Sequence, residues 1–365
     1  MKPPIPFPAA PASRAAAALV TVGAALALAA CAPVGVVPGS APGAAPATHW
    51  RPAELQAVVD YVRAQKSTGL LILQDGRVVA EHTWPLPPDA ASFRATFVHG
   101  QAADGALLED VASLQKSFIA VLAGVAVDQG LLDVARPVSA YAGAGWSRAA
   151  PEREARITVR HLMEMTSGLK ENLSPEFEPG TRFFYNTPAY AVLKKVLEGA
   201  TKRPLDELTR QWMTEPLGMR DTAWRERPPA LADAANPTGL VTTPRDMARL
   251  GQMILDRGLA PDGRRVISAA QLDALLTRTP TNPGYGRLWW LNGGSHLFVA
   301  GPGAPRREGP LVPAAPPDMV AAHGFLERRL FVVPSLKLIV VRSGQGAPDK
   351  DFNQQLWTRL MRAAP

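Results

Sequence analysis

The sequence predicts an α/β (α+β) fold, in which one antiparallel sheet is built from both chain ends and flanked by helices, with a mostly helical lobe inserted. Three observations predict this fold. Two short apolar runs near the start flank an Asp-Gly turn, two more near the end flank Pro-Ser, and the segments between them have mostly helical spacing. The chain has 365 residues, 47% hydrophobic and 19% charged, which is sufficient for one large core.

The first segment, residues 1–30, has the features of an export signal. Basic residues precede the apolar run Ala15–Ala30, which is short for a transmembrane helix. The only cysteine, Cys31, follows at once, and this junction resembles the bacterial lipobox, in which the cysteine carries the lipid. We therefore expect a periplasm-facing lipoprotein, and Ala32 favours the outer membrane. The alternative is an ordinary cysteine behind a cleaved leader.

The remaining chain divides into a linker and one folded domain. Residues 31–47, rich in Pro, Gly, Ala and Ser, predict a flexible tether. The domain covers 48–365, with a sheet lobe of about 48–110 and 285–365 and a helical lobe of about 111–284. The elements predicted in order are a helix over 52–65, strands over 70–73 and 78–80, helices over 113–129, 159–165, 188–199, 204–213, 243–257 and 268–276, strands over 330–333 and 338–341, and a helix over 351–361.

A serine and a lysine lie three residues apart at the predicted start of a helix, so Ser113 and Lys116 share one face. A hydroxyl becomes a nucleophile when a base takes its proton, and burial lowers the pKa of a lysine enough for this task. The next segment, Phe118–Val127, has no charged residue, so Lys116 lies where a charge is costly. We expect Ser113 to be the nucleophile, Lys116 its base and the Ser113 N–H an oxyanion donor. The alternative is a helix-capping serine beside a solvated lysine.

Two further segments offer groups for the same site. Tyr185 follows a turn and precedes a helix. It is a candidate proton relay, provided that nearby cations lower its pKa from about 10; the alternative is a packing residue. Gly324 would let substrate approach a strand edge. The N–H of Phe325 would then be the second oxyanion donor, and His323 is either a substrate contact or a loop histidine.

Longer stretches resemble the serine β-lactamase-related family, which includes class C β-lactamases, penicillin-binding proteins, family VIII esterases and 6-aminohexanoate-oligomer hydrolases. The resemblance covers most of residues 68–345. Besides Ser113-x-x-Lys116, it rests on the segments Ile157–Leu169 (ITVRHLMEMTSGL), Thr242–Gly251 (TTPRDMARLG) and Gly284–Trp290 (GYGRLWW).

The resemblance implies a β-lactamase/transpeptidase-like fold and hydrolysis through an acyl ester of Ser113, activated by Lys116. Tyr185 would be the tyrosine of the family's Tyr-x-Asn motif. Thr187 stands at the third position of that motif, and Asn186 lies one place early. We take both as candidates for substrate binding.

A second departure concerns the family's Lys-Thr-Gly or His-x-Gly triplet, which is here Ala322-His323-Gly324. The resemblance implies that the missing lysine would hold a substrate carboxylate. A small-molecule amide or ester is therefore the expected substrate. The alternatives are a catalytically weak or inactive envelope binding protein and an enzyme acting on β-lactams or peptidoglycan peptides.

Charge and motif searches exclude other classes. The net charge of +7 is scattered, without a basic run interleaved with aromatic residues, so we expect no nucleic-acid partner. No His-Glu-x-x-His or similar spacing predicts a metal, and we expect no cofactor. The nearest match to a Gly-x-Ser-x-Gly elbow contains Ser147 but follows no predicted strand.

Overall fold

The computed structural model describes residues 49–232, 235–301 and 303–365. The predicted leader over 1–30, Cys31 and the linker over 31–47 lie outside these residues. None of the helices in the described part of the chain has the length and apolar character needed to span a bilayer.

The main sheet joins the two ends of the chain, as predicted. Its six strands are antiparallel and lie in the order β2-β1-β12-β11-β10-β7. They are β1 (Ser67–Gln74), β2 (Arg77–Thr83), β7 (Trp290–Leu291), β10 (Val320–Gly324), β11 (Arg328–Val333) and β12 (Leu338–Gly344). Asp75 and Gly76 turn the first hairpin with φ of 51° and 71°, the left-handed pair that a tight two-residue turn requires.

Helices cover both faces of this sheet. Successive strand residues point to opposite faces, and Phe331 of β11 packs edge-on against Trp357 with ring centres 5.5 Å apart. Its neighbour Val332 faces the other side, where it lies beside Gly251. The covering helices are α1 (Pro52–Ala64) and α13 (Phe352–Ala363), which pack on each other, and α11 (Pro244–Leu255). Burial on both faces explains the apolar runs Leu330–Val333 in β11 and Leu338–Val341 in β12.

The helical lobe is built around α3 (Gln115–Asp128), whose residues are buried on nearly every side. A 3₁₀ turn, Ala112–Leu114, precedes α3 and contains Ser113. The predicted helix over 204–213 passes into a π-helical turn at Arg210–Thr214. The other helices are α2 (Ala91–Phe97), α4 (Ser139–Ala142), α5 (Pro151–Glu154), α6 (Val159–Met163), α7 (Thr187–Thr201), α8 (Leu205–Thr209), α9 (Glu215–Leu217), α10 (Pro229–Ala232) and α12 (Ala269–Leu275).

A second sheet corrects the mostly helical interpretation of the middle segment. Four short strands lie in the order β3-β4-β6-β5. They are β3 (Val98–Gln101), β4 (Leu107–Asp110), β5 (Ala223–Glu226) and β6 (Thr238–Thr242). A small hairpin forms a separate two-stranded sheet from β8 (His296–Phe298) and β9 (Arg306–Glu308). Strands this short show too little alternation to be recognised, and β4 pairs with a partner far along the chain.

Candidate active site

The structure brings the predicted nucleophile and base together. The Nζ atom of Lys116 lies 2.9 Å from Oγ of Ser113, within hydrogen-bonding distance. Ser113 stands in the 3₁₀ turn and Lys116 in the first turn of α3, so the spacing seen in the sequence places both side chains on one face. Lys116 is only 2% exposed, which excludes the solvated lysine of the alternative interpretation.

The surroundings of Lys116 favour its neutral form. Its Nζ lies 3.2 Å from Oγ1 of Thr187 and above the rings of Tyr185 and Tyr190, at 4.9 and 4.6 Å from their centres. Burial lowers the pKa of Lys116 well below its usual value, and the nearby cation of Arg227 lowers it further. A neutral amine with a free electron pair can accept the proton of a hydroxyl.

Tyr185 lines the same cleft as Ser113 but does not have the predicted acidity. Burial raises its pKa to about 12, which outweighs the lowering by the Ser113 hydroxyl and by Arg329. The condition of a lowered pKa is therefore not met, because desolvation disfavours the phenolate more than the nearby cation favours it. Tyr185 retains its proton and is suited to donate a hydrogen bond.

The two residues that follow Tyr185 make different contacts. Thr187 contacts Lys116, as described above. Asn186 is only 1% exposed, and its side chain serves the scaffold. Its Oδ1 accepts the Ala189 N–H at 3.0 Å and caps α7, while its Nδ2 donates to the carbonyls of Leu169 and Lys170. The prediction that Asn186 binds substrate is wrong, because none of its polar atoms is left to face the cleft.

His323 forms part of the cleft wall at the end of β10. Its ring stacks on Trp290 with centres 5.8 Å apart and meets Phe331 edge-on. Burial lowers its pKa well below the usual value, and the cations of Arg329 and Arg307 add to this effect. The imidazole is therefore neutral at physiological pH. Its Nε2 is buried and has no hydrogen-bond partner among the described residues.

Glycine is required at position 324 for a different reason from the predicted one. A Cβ atom at this position would lie 2.3 Å from the carbonyl oxygen of Val111 and 3.4 Å from Cβ of Leu114. The glycine therefore lets β10 pack directly against the turn that carries Ser113. It lines the cleft, but the close approach that excludes a larger residue comes from the protein itself. Phe325 follows with its side chain 64% exposed at the same cleft.

The cleft has a volume of about 330 Å³. It brings together most of the predicted site residues, with Lys116 buried beneath Ser113. The predicted residues that line it are Ser113, Tyr185, His323, Gly324 and Phe325. Its remaining wall is formed by Trp290, Val299, Ala300, Arg307, Leu311, Arg329 and Asn353.

Sequence analysis missed the two arginines of this wall, Arg307 and Arg329. Arg329 lies opposite His323 in the β10–β11 register and is 8% exposed. It donates to the Gly324 carbonyl at 2.7 Å and to Asn353 Oδ1 at 3.1 Å, so it ties the strand end to α13. The signal that could have revealed Arg329 is its place directly before the apolar run Leu330–Val333, which predicts a buried strand.

Comparisons with known proteins identify the family and the fold of the chain. The family model described as Beta-lactamase matches residues 55–364. An uncharacterized protein of Alkalihalophilus pseudofirmus is 22% identical over 300 residues, covering 75% of this chain and 82% of its own.

Two solved structures share the fold. One, assigned as a β-lactamase from Bacteroides dorei, has a TM-score of 0.65 at 17% identity and covers 86% of this chain and 99% of its own. The other, assigned as a 6-aminohexanoate-dimer hydrolase from Bacillus anthracis, has a TM-score of 0.61 at 15% identity and covers 83% and 80%. At these identities the similarity establishes the architecture.

Proposed function

The chain belongs to the β-lactamase family of serine hydrolases, and we propose that it cleaves a small-molecule amide or ester through a covalent acyl intermediate on Ser113. The observation that carries the proposal is the 2.9 Å separation of Lys116 Nζ from Ser113 Oγ at the base of a cleft. A buried amine beside a hydroxyl is the arrangement that nucleophilic catalysis requires.

The reaction follows from these positions. Neutral Lys116 takes the proton of Ser113 as Oγ attacks the carbonyl carbon. The carbonyl oxygen becomes an oxyanion, which the backbone N–H groups of Ser113 and Phe325 stabilise. The intermediate collapses to an acyl ester as the leaving group takes a proton from Lys116 through Tyr185. Water then attacks the ester and Lys116 accepts its proton. Lys116 returns this proton to Oγ as the bond between Oγ and the acyl carbon breaks, which releases the acid and regenerates Ser113.

The residue at the position of the family's lysine supports an amide or ester over a β-lactam. Ala322, which stands where the family has lysine or histidine, is completely buried and presents no charge to a ligand. Trp290 and Phe325 offer apolar surface, and His323 is neutral. The neighbour assigned as a 6-aminohexanoate-dimer hydrolase acts on an amide, which is consistent with this choice.

Turnover separates the proposed hydrolase from a silent binding protein with the same fold. We expect the purified protein to hydrolyse p-nitrophenyl acyl esters and p-nitroanilides, with little turnover of a chromogenic cephalosporin in the same assay. Saturable binding of these compounds without release of p-nitrophenol or p-nitroaniline would contradict the proposal. Faster turnover of the cephalosporin than of every ester and anilide would instead establish the β-lactamase alternative.

Tyr185→Phe is expected to slow amide cleavage by about 10²-fold, because the poor amine leaving group needs a proton in the transition state. A p-nitrophenolate leaves without protonation, so the ester should lose much less activity. The measurement compares kcat for a p-nitroanilide and a p-nitrophenyl ester of the same acyl group. Equal losses for both substrates would count against the relay.

We also propose that Cys31 anchors the enzyme to the bacterial envelope, facing the periplasm. Support comes from the short apolar run that ends at this cysteine, the only one in the chain. Cells fed an alkyne-tagged fatty acid should incorporate it into the wild type and not into Cys31→Ser. Equal incorporation in both would rule out the anchor.

A further inference from the structure

We propose that the buried ion pair between Asp110 and Arg227 holds the turn that presents Ser113 to Lys116, and that both are positioning residues. The inference rests on the proposed function of Ser113. Neither Asp110 nor Arg227 lines the cleft, so neither contacts a substrate there, and Asp110 bonds directly to the backbone of the turn.

The first observation is the conformation of Ala112, directly before Ser113. Its φ of 51° lies in the left-handed region, which an alanine rarely adopts because its Cβ meets the backbone. Such a conformation persists when the surrounding structure enforces it. Here Oδ1 of Asp110 accepts the N–H of Ala112 at 2.7 Å, so the carboxylate holds the strained peptide directly.

The second observation is how firmly this carboxylate is held. Asp110 is fully buried, and Arg227 grips it with two hydrogen bonds, from Nε to Oδ2 at 2.7 Å and from Nη2 to Oδ1 at 2.8 Å. The fork of a guanidinium fixes a carboxylate in orientation as well as position. The N–H of Arg227 in turn donates to the Pro237 carbonyl at 2.8 Å, which links the pair to the second sheet.

A third observation shows that the neighbouring strand makes room for the pair. Gly239 on β6 has no left-handed backbone that would require glycine. A Cβ at this position would lie 1.9 Å from Oδ2 of Asp110 and 2.6 Å from Nε of Arg227. The glycine is therefore needed for space. Next to it, Leu240 accepts the Val111 N–H at 3.0 Å and so fixes the turn from the other side.

Loss of the pair would free Ala112 to return to a right-handed conformation. Ser113 would then rotate with the peptide, and its Oγ would leave the 2.9 Å contact with Lys116. The Asp110–Arg227 pair thus connects the second sheet to the turn that carries the nucleophile.

The test uses the rate at which a fluorophosphonate modifies Ser113. Arg227→Met should slow the reaction about tenfold or more, the factor that corresponds to the cost of a left-handed alanine. Adding Ala112→Gly should restore most of the rate, because glycine takes positive φ freely. Arg227→Lys keeps the charge but lacks the fork, so its rate should lie between those of the wild type and Arg227→Met. This variant keeps the inference testable if Arg227→Met does not fold.

Two controls separate positioning from general stability. Arg257→Met breaks an exposed bidentate pair with Asp273 and should leave the rate unchanged. Leu360→Ala makes a cavity in the buried core at α13, and it should lower the melting temperature without slowing the reaction.

The outcomes are distinguishable. A folded Arg227→Met or Arg227→Lys protein that reacts at the wild-type rate would overturn the inference, as would a slow Arg227→Met protein that Ala112→Gly does not rescue. Those results would leave the proposed function intact, because wild-type Ser113 would still react. A wild type that does not react with the probe would instead remove the proposed function and the inference with it.

Discussion

Ser113→Ala should abolish covalent labelling by a fluorophosphonate and lower ester hydrolysis by at least about 10³-fold. The methyl group of alanine can neither attack a carbonyl carbon nor carry an acyl group. Backbone donors and the cleft remain, so the variant should still bind substrate. Intact-protein mass spectrometry measures the adduct, and peptide mapping of the wild type should place it on residue 113.

Ser147→Ala is the matched control for this experiment. Ser147 lies in the nearest match to a hydrolase elbow motif, but its hydroxyl donates to Glu154 at 2.6 Å and serves the scaffold. This variant should be labelled like the wild type. Labelling of Ser113→Ala at the wild-type rate would refute the assignment of the nucleophile.

Lys116→Met should lower the acylation rate by about 10²- to 10⁴-fold, the usual cost of losing a general base. Methionine fills a similar volume among the rings of Tyr185 and Tyr190 but cannot accept a proton. Lys195→Met on the exposed side of α7 is the matched control and should keep full activity. Burst kinetics with a p-nitrophenyl ester measure acylation separately from deacylation. Full acylation in Lys116→Met would exclude its role as base.

The pH dependence follows from the lowered pKa of Lys116. Only the neutral amine accepts a proton, so acylation should increase with pH as Lys116 loses its proton and then reach a plateau. Burial places this transition well below the usual lysine value, so the enzyme should be active at neutral pH. A rate that rises only near pH 10 would show that the lysine behaves as if solvated.

The same shift predicts that Lys116 costs stability. In the unfolded chain the lysine is protonated below its ordinary pKa, whereas the folded protein disfavours the proton, so the free energy of unfolding falls as pH falls through this range. Lys116→Met removes the buried amine, and its melting temperature at neutral pH should exceed that of the wild type. A more stable, inactive variant would show that the catalytic lysine is kept at the expense of stability.

Several parts of the fold and of the site could be predicted because they depend on local geometry. Ser113 and Lys116 are one helical turn apart, so their contact follows from helix spacing. The hairpin at Asp75-Gly76 follows from the conformations that these residues allow. The apolar runs at both ends of the chain predicted one antiparallel sheet built from the two termini, which the structure confirms.

Other parts needed the folded chain because their partners are distant in sequence. The sequence did not distinguish the roles of Asn186 and Thr187. The direction of each side chain at the start of α7 shows that Asn186 caps the helix and Thr187 contacts Lys116. The pKa of Tyr185 depends on how far its hydroxyl is removed from water, which no motif reveals.

The sequence by itself predicted the Ser113–Lys116 pair and the strands that join the two chain ends, because spacing along one helix and apolar runs along strands are properties of neighbouring residues. Only the tertiary structure decided how that pair is held. Asp110 and Arg227 meet across 117 positions of the chain, at a place where Gly239 leaves room. Contacts between segments this distant depend on which surfaces the whole core brings together, and no local pattern encodes them.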